Sequence, residues 1–219
     1  MDAYSRANPS PRYRDLLELY VAMHAHGAPE QGDRAEDMFA GQSLARHVEA
    51  IRHLARGVGA RTLLDYGAGK GRLYRAPAEA FGATRGTTLK DHWGLDEVTL
   101  YDPAYPAHDE LPRGTFDGVI CTDVLEHVPG DDVPWVLGEI FAYAEKFVYL
   151  NVACYPAKKI LPNGENAHCT VQPQEWWVER IARASADHPV VKTTAIFTKR
   201  AATPPGRRKG LLGRLGVGR

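Results

Sequence analysis

The chain has 219 residues, 44% hydrophobic and 25% charged, with 27 Lys and Arg against 27 Asp and Glu. Those proportions exclude collagen-like, coiled-coil and wholly disordered chains, and zero net charge speaks against a purely electrostatic nucleic-acid binder. The balance is uneven along the chain: seven basic residues and no acid lie between Lys199 and Arg219, which leaves residues 1–198 at −7.

Ser10 and Pro11 predict a helix start, with Ser as N-cap and Pro in the first helical position. Leu16, Leu17, Tyr20, Val21 and His24 follow at helical spacing. Residues 28–34 read as a loop. Ser43 is placed as the cap of a second helix carrying Leu44, Val48, Ile51 and Leu54 and ended by Gly57 and Gly59. A short apolar strand at 62–66 runs into a glycine-rich turn, with a helix expected over 72–81. Residues 82–95, with Gly82, Gly86 and Gly94, read as a long loop. Strands are expected at 98–102, stopped by Pro103, and at 116–121. Asp131 and Asp132 open a helix with Pro134 in its first turn. A further strand covers 147–152, a helix carrying Trp176 and Trp177 starts at Pro173, and a last strand covers 190–197. Strands alternating with helices predict a largely parallel sheet with helices on both faces. Ligands in such sheets bind beyond the carboxyl ends of the strands.

The polar signals fall at those ends. After the first strand the chain reads Asp65, Tyr66, Gly67, Ala68, Gly69, Lys70, Gly71. Glycines there let the backbone approach a ligand, and the acid ahead of them can hold a cationic amine. The GxGxG spacing differs from the GxGxxG of dinucleotide binders, which disfavours a nicotinamide-dependent oxidoreductase. Asp102 ends the second strand, where a carboxylate can accept from ribose hydroxyls; its rival role is to bond its own turn before Pro103. The strand 116–121 runs into Asp123, Val124, Glu126 and His127. Three cysteines, odd in number and without a CxxC pair, predict reduced thiols and a cytoplasmic setting. The start of the chain shows no secretory signal, no run is long enough for a membrane helix, and the nine histidines fall at no metal-ligand spacing, so no metal is expected.

The segments LLDYGAGKG at 63–71, YDP at 101–103, FDGVICTDVLEHVP at 116–129 and HCTVQPQEWWV at 168–178 together resemble the class I S-adenosylmethionine-dependent methyltransferases, over roughly 43–198. The likeness is nearest to the broad group that includes ubiquinone-biosynthesis-type O-methyltransferases. It implies an α/β fold, a Rossmann-like three-layer sandwich with a mostly parallel seven-stranded sheet of order 3-2-1-4-5-7-6. Only 13 residues separate Asp102 from Phe116, so the third-strand region is expected to be reduced, and no sequence after Arg200 suits a seventh strand. The resemblance implies that Asp65, Gly67, Ala68, Gly69 and Gly71 hold the methionine end of the cofactor S-adenosyl-L-methionine, that Asp102 holds the ribose, and that Asp123 and Val124 line the reactive methyl. Asp109 and Glu110 are the candidate adenine-pocket acids.

Methyl transfer is an in-line displacement in which alignment matters most, with a general base where the nucleophile is a hydroxyl. His127 is the first candidate base and His168 the second. The expected organisation is an N-terminal helical extension or lid at 1–42, a methyltransferase domain at 43–198 and a basic tail at 199–219. The expected partner is a small-molecule acceptor methylated on oxygen, a hydroxyl or a carboxylate, a sugar or glycan precursor included. Nucleic-acid methyl transfer is disfavoured because Thr122 to Leu125 lack an Asn/Asp-Pro-Pro-aromatic motif. A non-catalytic cofactor-binding subunit is disfavoured by the intact glycine loop. The tail, with Leu211, Leu212 and Leu215 among its arginines, suits at most a weak contact with a membrane or an acidic partner.

Overall fold

The computed structural model describes residues 4–199. Five strands form one wholly parallel sheet: β1 (Thr62–Tyr66), β2 (Glu97–Tyr101), β3 (Phe116–Thr122), β4 (Ala144–Ala153) and β5 (Lys192–Thr198), in the order β2-β1-β3-β4-β5. Five α-helices accompany it: α1 (Pro11–His26), α2 (Val48–Gly57), α3 (Leu89–Trp93), α4 (Val133–Ala142) and α5 (Gln174–Ser185).

Side chains alternate across the buried strands and so build two cores. On one face Leu63, Ile120, Phe147 and Tyr149 pack under α2 and α3 with Ile51, Leu54 and Trp93. On the other, Leu64, Val119, Cys121, Val148 and Leu150 pack under α4 and α5 with Val136, Ile140, Phe141, Trp177 and Ile181. This is the expected three-layer sandwich. Trp177 is fully buried, whereas Trp176 lies at the rim with Arg180 stacked on it.

Where the expectations differ, local chemistry explains why. The helix over 72–81 is two 3-10 turns, Arg72–Arg75 and Ala78–Phe81, because Pro77 interrupts it. The loop expected at 82–95 contains α3, started by a reciprocal capping box between Thr88 and Asp91 and ended by Gly94 in a left-handed conformation. Ser43 caps nothing: it lies inside a 3-10 turn, Gln42–Arg46, and α2 begins only at Val48. Ser10 is the N-cap of α1, as expected. Residues 102–115 cross from β2 to β3 without a strand or helix, which is the reduced third-strand region. Among the described residues the sheet has five strands rather than seven, and β5 pairs directly with β4. The basic tail lies outside the described residues beyond Lys199.

The strand order reverses between β1 and β3. All five strands point the same way, so the loops after Tyr66, Tyr101, Thr122 and Ala153 meet at one edge.

Candidate active site

At that edge lies a cavity of about 580 Å³. Asp65, Gly67, Ala68, Gly69, Gly71, Asp102, Asp123, Val124, His127 and His168 all line it, so the fold brings these sequence-predicted site residues to one place. Asp109 and Glu110 do not line it; both are exposed.

Asp65 closes β1 with its carboxyl buried. Its hydrogen-bond partner is Tyr74, whose hydroxyl donates to Oδ2 at 2.8 Å. Burial, with the nearby Asp102 adding to it and the Tyr74 bond opposing, pushes the Asp65 carboxyl up to about 7. The loop that follows requires glycine. Gly67 and Gly69 hold φ of 86° and 55°. A Cβ on Gly67 would stand 2.3 Å from Val124 Cγ2, and one on Gly69 would stand 2.2 Å from the Phe39 carbonyl oxygen. The glycines thus serve close packing of the β1 loop on its neighbours as well as lining the cavity. Lys70 turns away from the cavity interior: its ammonium donates to the backbone carbonyls of His24, at 3.2 Å, and Ala35.

Asp102 fills the rival role weighed for it, bonding its own turn, and also braces the glycine loop. Oδ1 accepts from Ala104 N–H in its own turn at 2.9 Å, and Oδ2 accepts from Gly69 N–H at 2.8 Å. A carboxylate offers about four acceptor positions, so roughly half of its capacity faces the cavity unused. Asp123, one residue past β3, takes a left-handed φ of 61° and donates its N–H to Asn151 O at 3.1 Å. Asp tolerates this conformation better than most residues.

His127 ends the 3-10 turn Leu125–His127, and its ring lies edge-on to His168 with centroids 4.8 Å apart. Nδ1 of His127 is 2.9 Å from the Tyr20 hydroxyl of α1, which also donates to Ala167 O at 2.8 Å. Burial and the neighbouring His168 push the His127 imidazole down to about 4, so it is neutral at ordinary pH. Nδ1 of His168 lies 2.6 Å from Tyr155 O. Glu126, the neighbour of His127, points inward. Its Oε1 accepts from Ala153 N–H at 2.8 Å, and burial raises its carboxyl well above the usual range.

Four contributors escaped the sequence reading: Tyr74, Tyr155 and the exposed cations Arg46 and Lys158 on the cavity wall. Tyr74 and Tyr155 act through contacts that no spacing encodes. Tyr20, Met23 and His24 were weighed as a lid or as sheet packing; Tyr20 and His24 line the cavity from α1, whereas Met23 is buried in a cluster with Leu16 and Met38. Residues 35–41, assigned in sequence to the extension, are built into the glycine loop: Lys70 N–H donates to Phe39 O and Arg72 N–H to Ala40 O. No group of three or more metal-ligating side chains is present among the described residues.

Comparison with known proteins finds the family described as Methyltransferase domain over residues 34–186, well over half of the chain. No curated protein matches it.

Proposed function

The chain belongs to the class I S-adenosyl-L-methionine-dependent methyltransferases, and on that premise we propose that it methylates an oxygen of a small-molecule acceptor. The acceptor is a hydroxyl or carboxylate compound, with sugars and glycan precursors among the candidates. The observation that carries this reading is the pair of imidazoles, His127 and His168, on the wall of the same cavity as Asp65 and Asp102.

The residues suit the cofactor. Asp65 is a buried carboxyl with no cation paired to it among the described residues, and an ammonium group would supply one. The unused acceptor positions of Asp102 suit ribose hydroxyls. In this reading Asp65 and the loop of Gly67, Ala68, Gly69 and Gly71 hold the methionine end, Asp102 holds the ribose, and Asp123 and Val124 flank the reactive methyl. When bound, S-adenosyl-L-methionine supplies a methyl group on a positively charged sulfur. The protein's part is alignment and proton management. The acceptor oxygen would be presented in line with the methyl group that the bound cofactor would supply, between Asp123 and Val124. Its proton, where it has one, passes to the neutral imidazole of His127.

Three free thiols fit a reducing, cytoplasmic setting for this chemistry. No helix among the described residues is long and apolar enough to cross a membrane. The test is titration calorimetry with S-adenosyl-L-methionine and its demethylated product, followed by His127→Ala. Binding of both, with turnover on the acceptor lowered by about 10²–10⁴-fold in the variant at unchanged cofactor affinity, supports the assignment. Unchanged turnover removes His127 from the mechanism, and absence of binding removes the cofactor assignment.

A further inference from the structure

Asp65 stands between two demands. Its side chain is all but buried, yet it lines the cavity in which the ammonium group of the cofactor would sit. A carboxylate there needs donors, and the adjoining backbone supplies none. Gly67 and Ala68 N–H both donate to Tyr101 O, Gly69 N–H to Asp102, Lys70 N–H to Phe39 O and Gly71 N–H to Ala68 O. The Lys70 ammonium is spent on the carbonyls of His24 and Ala35. Within the described residues Asp65 has one side-chain donor, the Tyr74 hydroxyl, 2.8 Å from Oδ2. Oδ1 makes no hydrogen bond among those residues and is not sealed from solvent, so it opens onto the cavity.

Tyr74 is itself held from behind. It belongs to the 3-10 turn Arg72–Arg75, its N–H donates to Gly71 O at 3.1 Å, and its ring lies edge-on to Trp93 of α3 with centroids 6.0 Å apart. Trp93 is fully buried and donates its Nε1–H to Val48 O of α2 at 3.0 Å. The Tyr74 hydroxyl keeps its proton, since burial and the neighbouring carboxyl raise it well above the ordinary phenol range. A phenol gives its single proton to one carboxyl oxygen and so fixes how that carboxyl is turned. A hydrogen bond donated to a carboxylate also favours its charged form. Two further titratable groups face Asp65. Asp102, at the end of β2, opposes its ionisation, and the Cys121 thiol of β3 is held uncharged by burial. We propose that Tyr74 is a positioning residue for cofactor binding: it turns Asp65 so that Oδ1 meets the ammonium group, and it supports the negative charge that this contact requires. This rests on the methyltransferase reading and deepens it, because Tyr74 stands nine positions beyond Asp65 and outside the glycine loop.

The test compares the full chain with Tyr74→Phe, which keeps the ring and its packing on Trp93 and removes only the hydroxyl. Two probes are titrated by calorimetry: S-adenosyl-L-homocysteine, which carries the ammonium group, and methylthioadenosine, which keeps the nucleoside and sulfur but lacks the amino acid. At pH 7 the variant is expected to bind the first about tenfold more weakly and the second equally well. The pH at which affinity for the first rises is expected to move up by about one unit, the equivalent of that tenfold loss. Added to Asp65→Asn, Tyr74→Phe is expected to cost less than about twofold more, because it acts through the carboxylate. Equal losses for the two probes, an unmoved pH profile or additive losses overturn the proposal. Carbon-13 spectra of the ligand-free chain labelled at aspartate follow the Asp65 carboxyl directly. It is expected to titrate at higher pH in Tyr74→Phe, and an unmoved titration also overturns the proposal. If the unsubstituted chain binds neither probe, the methyltransferase site assignment falls and the proposal with it. A carbon-13 titration that still moves then places the failure in that assignment rather than in the bond between Tyr74 and Asp65.

Discussion

Asp65 shows how a single residue can set both ligand affinity and stability. A carboxyl pushed up to about 7 by burial is partly protonated near neutrality in the ligand-free chain. Pairing with an ammonium ion requires it to ionise. Binding of S-adenosyl-L-methionine at pH 7 should therefore release protons, visible as a dependence of the binding heat on the ionisation enthalpy of the buffer, and the affinity should rise as pH passes through 7. A binding heat identical in all buffers at pH 7 contradicts this. Asp65→Asn removes a charge-assisted contact and should weaken cofactor binding by about ten- to a hundredfold. The same change should stabilise the ligand-free fold. A raised carboxyl contributes stability that is present below its unfolded value of 3.8 and lost as pH rises through about 7. The gain in melting temperature for Asp65→Asn should accordingly be largest at pH 8 and shrink towards acid.

At the scale of elements, α1 is the piece whose role sequence left open between lid and packing. Its entry is held by Arg6, whose guanidinium pairs with Glu139 of α4, donates to Tyr101 and Tyr66 hydroxyls at 2.9 Å each, and lies 5.3 Å from the Trp135 ring centre. Next to it Asp132, the N-cap residue of α4, accepts from Ser10 N–H at 3.0 Å and from Trp135 Nε1 at 2.8 Å. Farther along, Leu16 and Met23 pack with Met38, Leu161 and Ala167, and Tyr20 reaches His127. The helix thus both packs and lines the cavity. Arg6→Ala should cost about 2–3 kcal/mol, because it strands Glu139 half-buried without its cation, and Glu139→Gln added to it should recover part of that loss in urea unfolding. Strictly additive losses would mean that the two do not act as a pair. The motifs around the glycine loop and β3 were legible in sequence because they are local. The α1 contacts were not, since Tyr20 and His127 stand 107 residues apart. The capping box at Thr88 and Asp91 was legible in principle, and α3 was missed because three glycines dominated the reading of that segment.

For the whole molecule, two histidines couple the fold to pH. His24, stacked on Tyr105 with ring centres 5.0 Å apart, and His127 are each held down to about 4, chiefly by burial, with Lys70 repelling a charge on His24 and His168 one on His127. A depressed histidine contributes stability that is present above its unfolded value of 6.5 and lost as pH falls through about 4. Each such residue costs about 1.4 kcal/mol per pH unit over that window. Urea midpoints should therefore fall between pH 7 and pH 5, and His24→Gln should narrow the difference between the two pH values whatever it does to the absolute stability. An undiminished difference would place the acid sensitivity elsewhere. By itself the sequence determined the parallel sheet, its helical layers and the glycine loop with its flanking acids, because strand alternation, caps and turn glycines act within a few residues. Only the tertiary structure decided that Glu126 faces the core rather than the cavity, that Tyr20 reaches His127 and that His168 turns Nδ1 to the Tyr155 carbonyl. Those outcomes depend on which carbonyl or hydroxyl a distant segment brings within hydrogen-bonding distance.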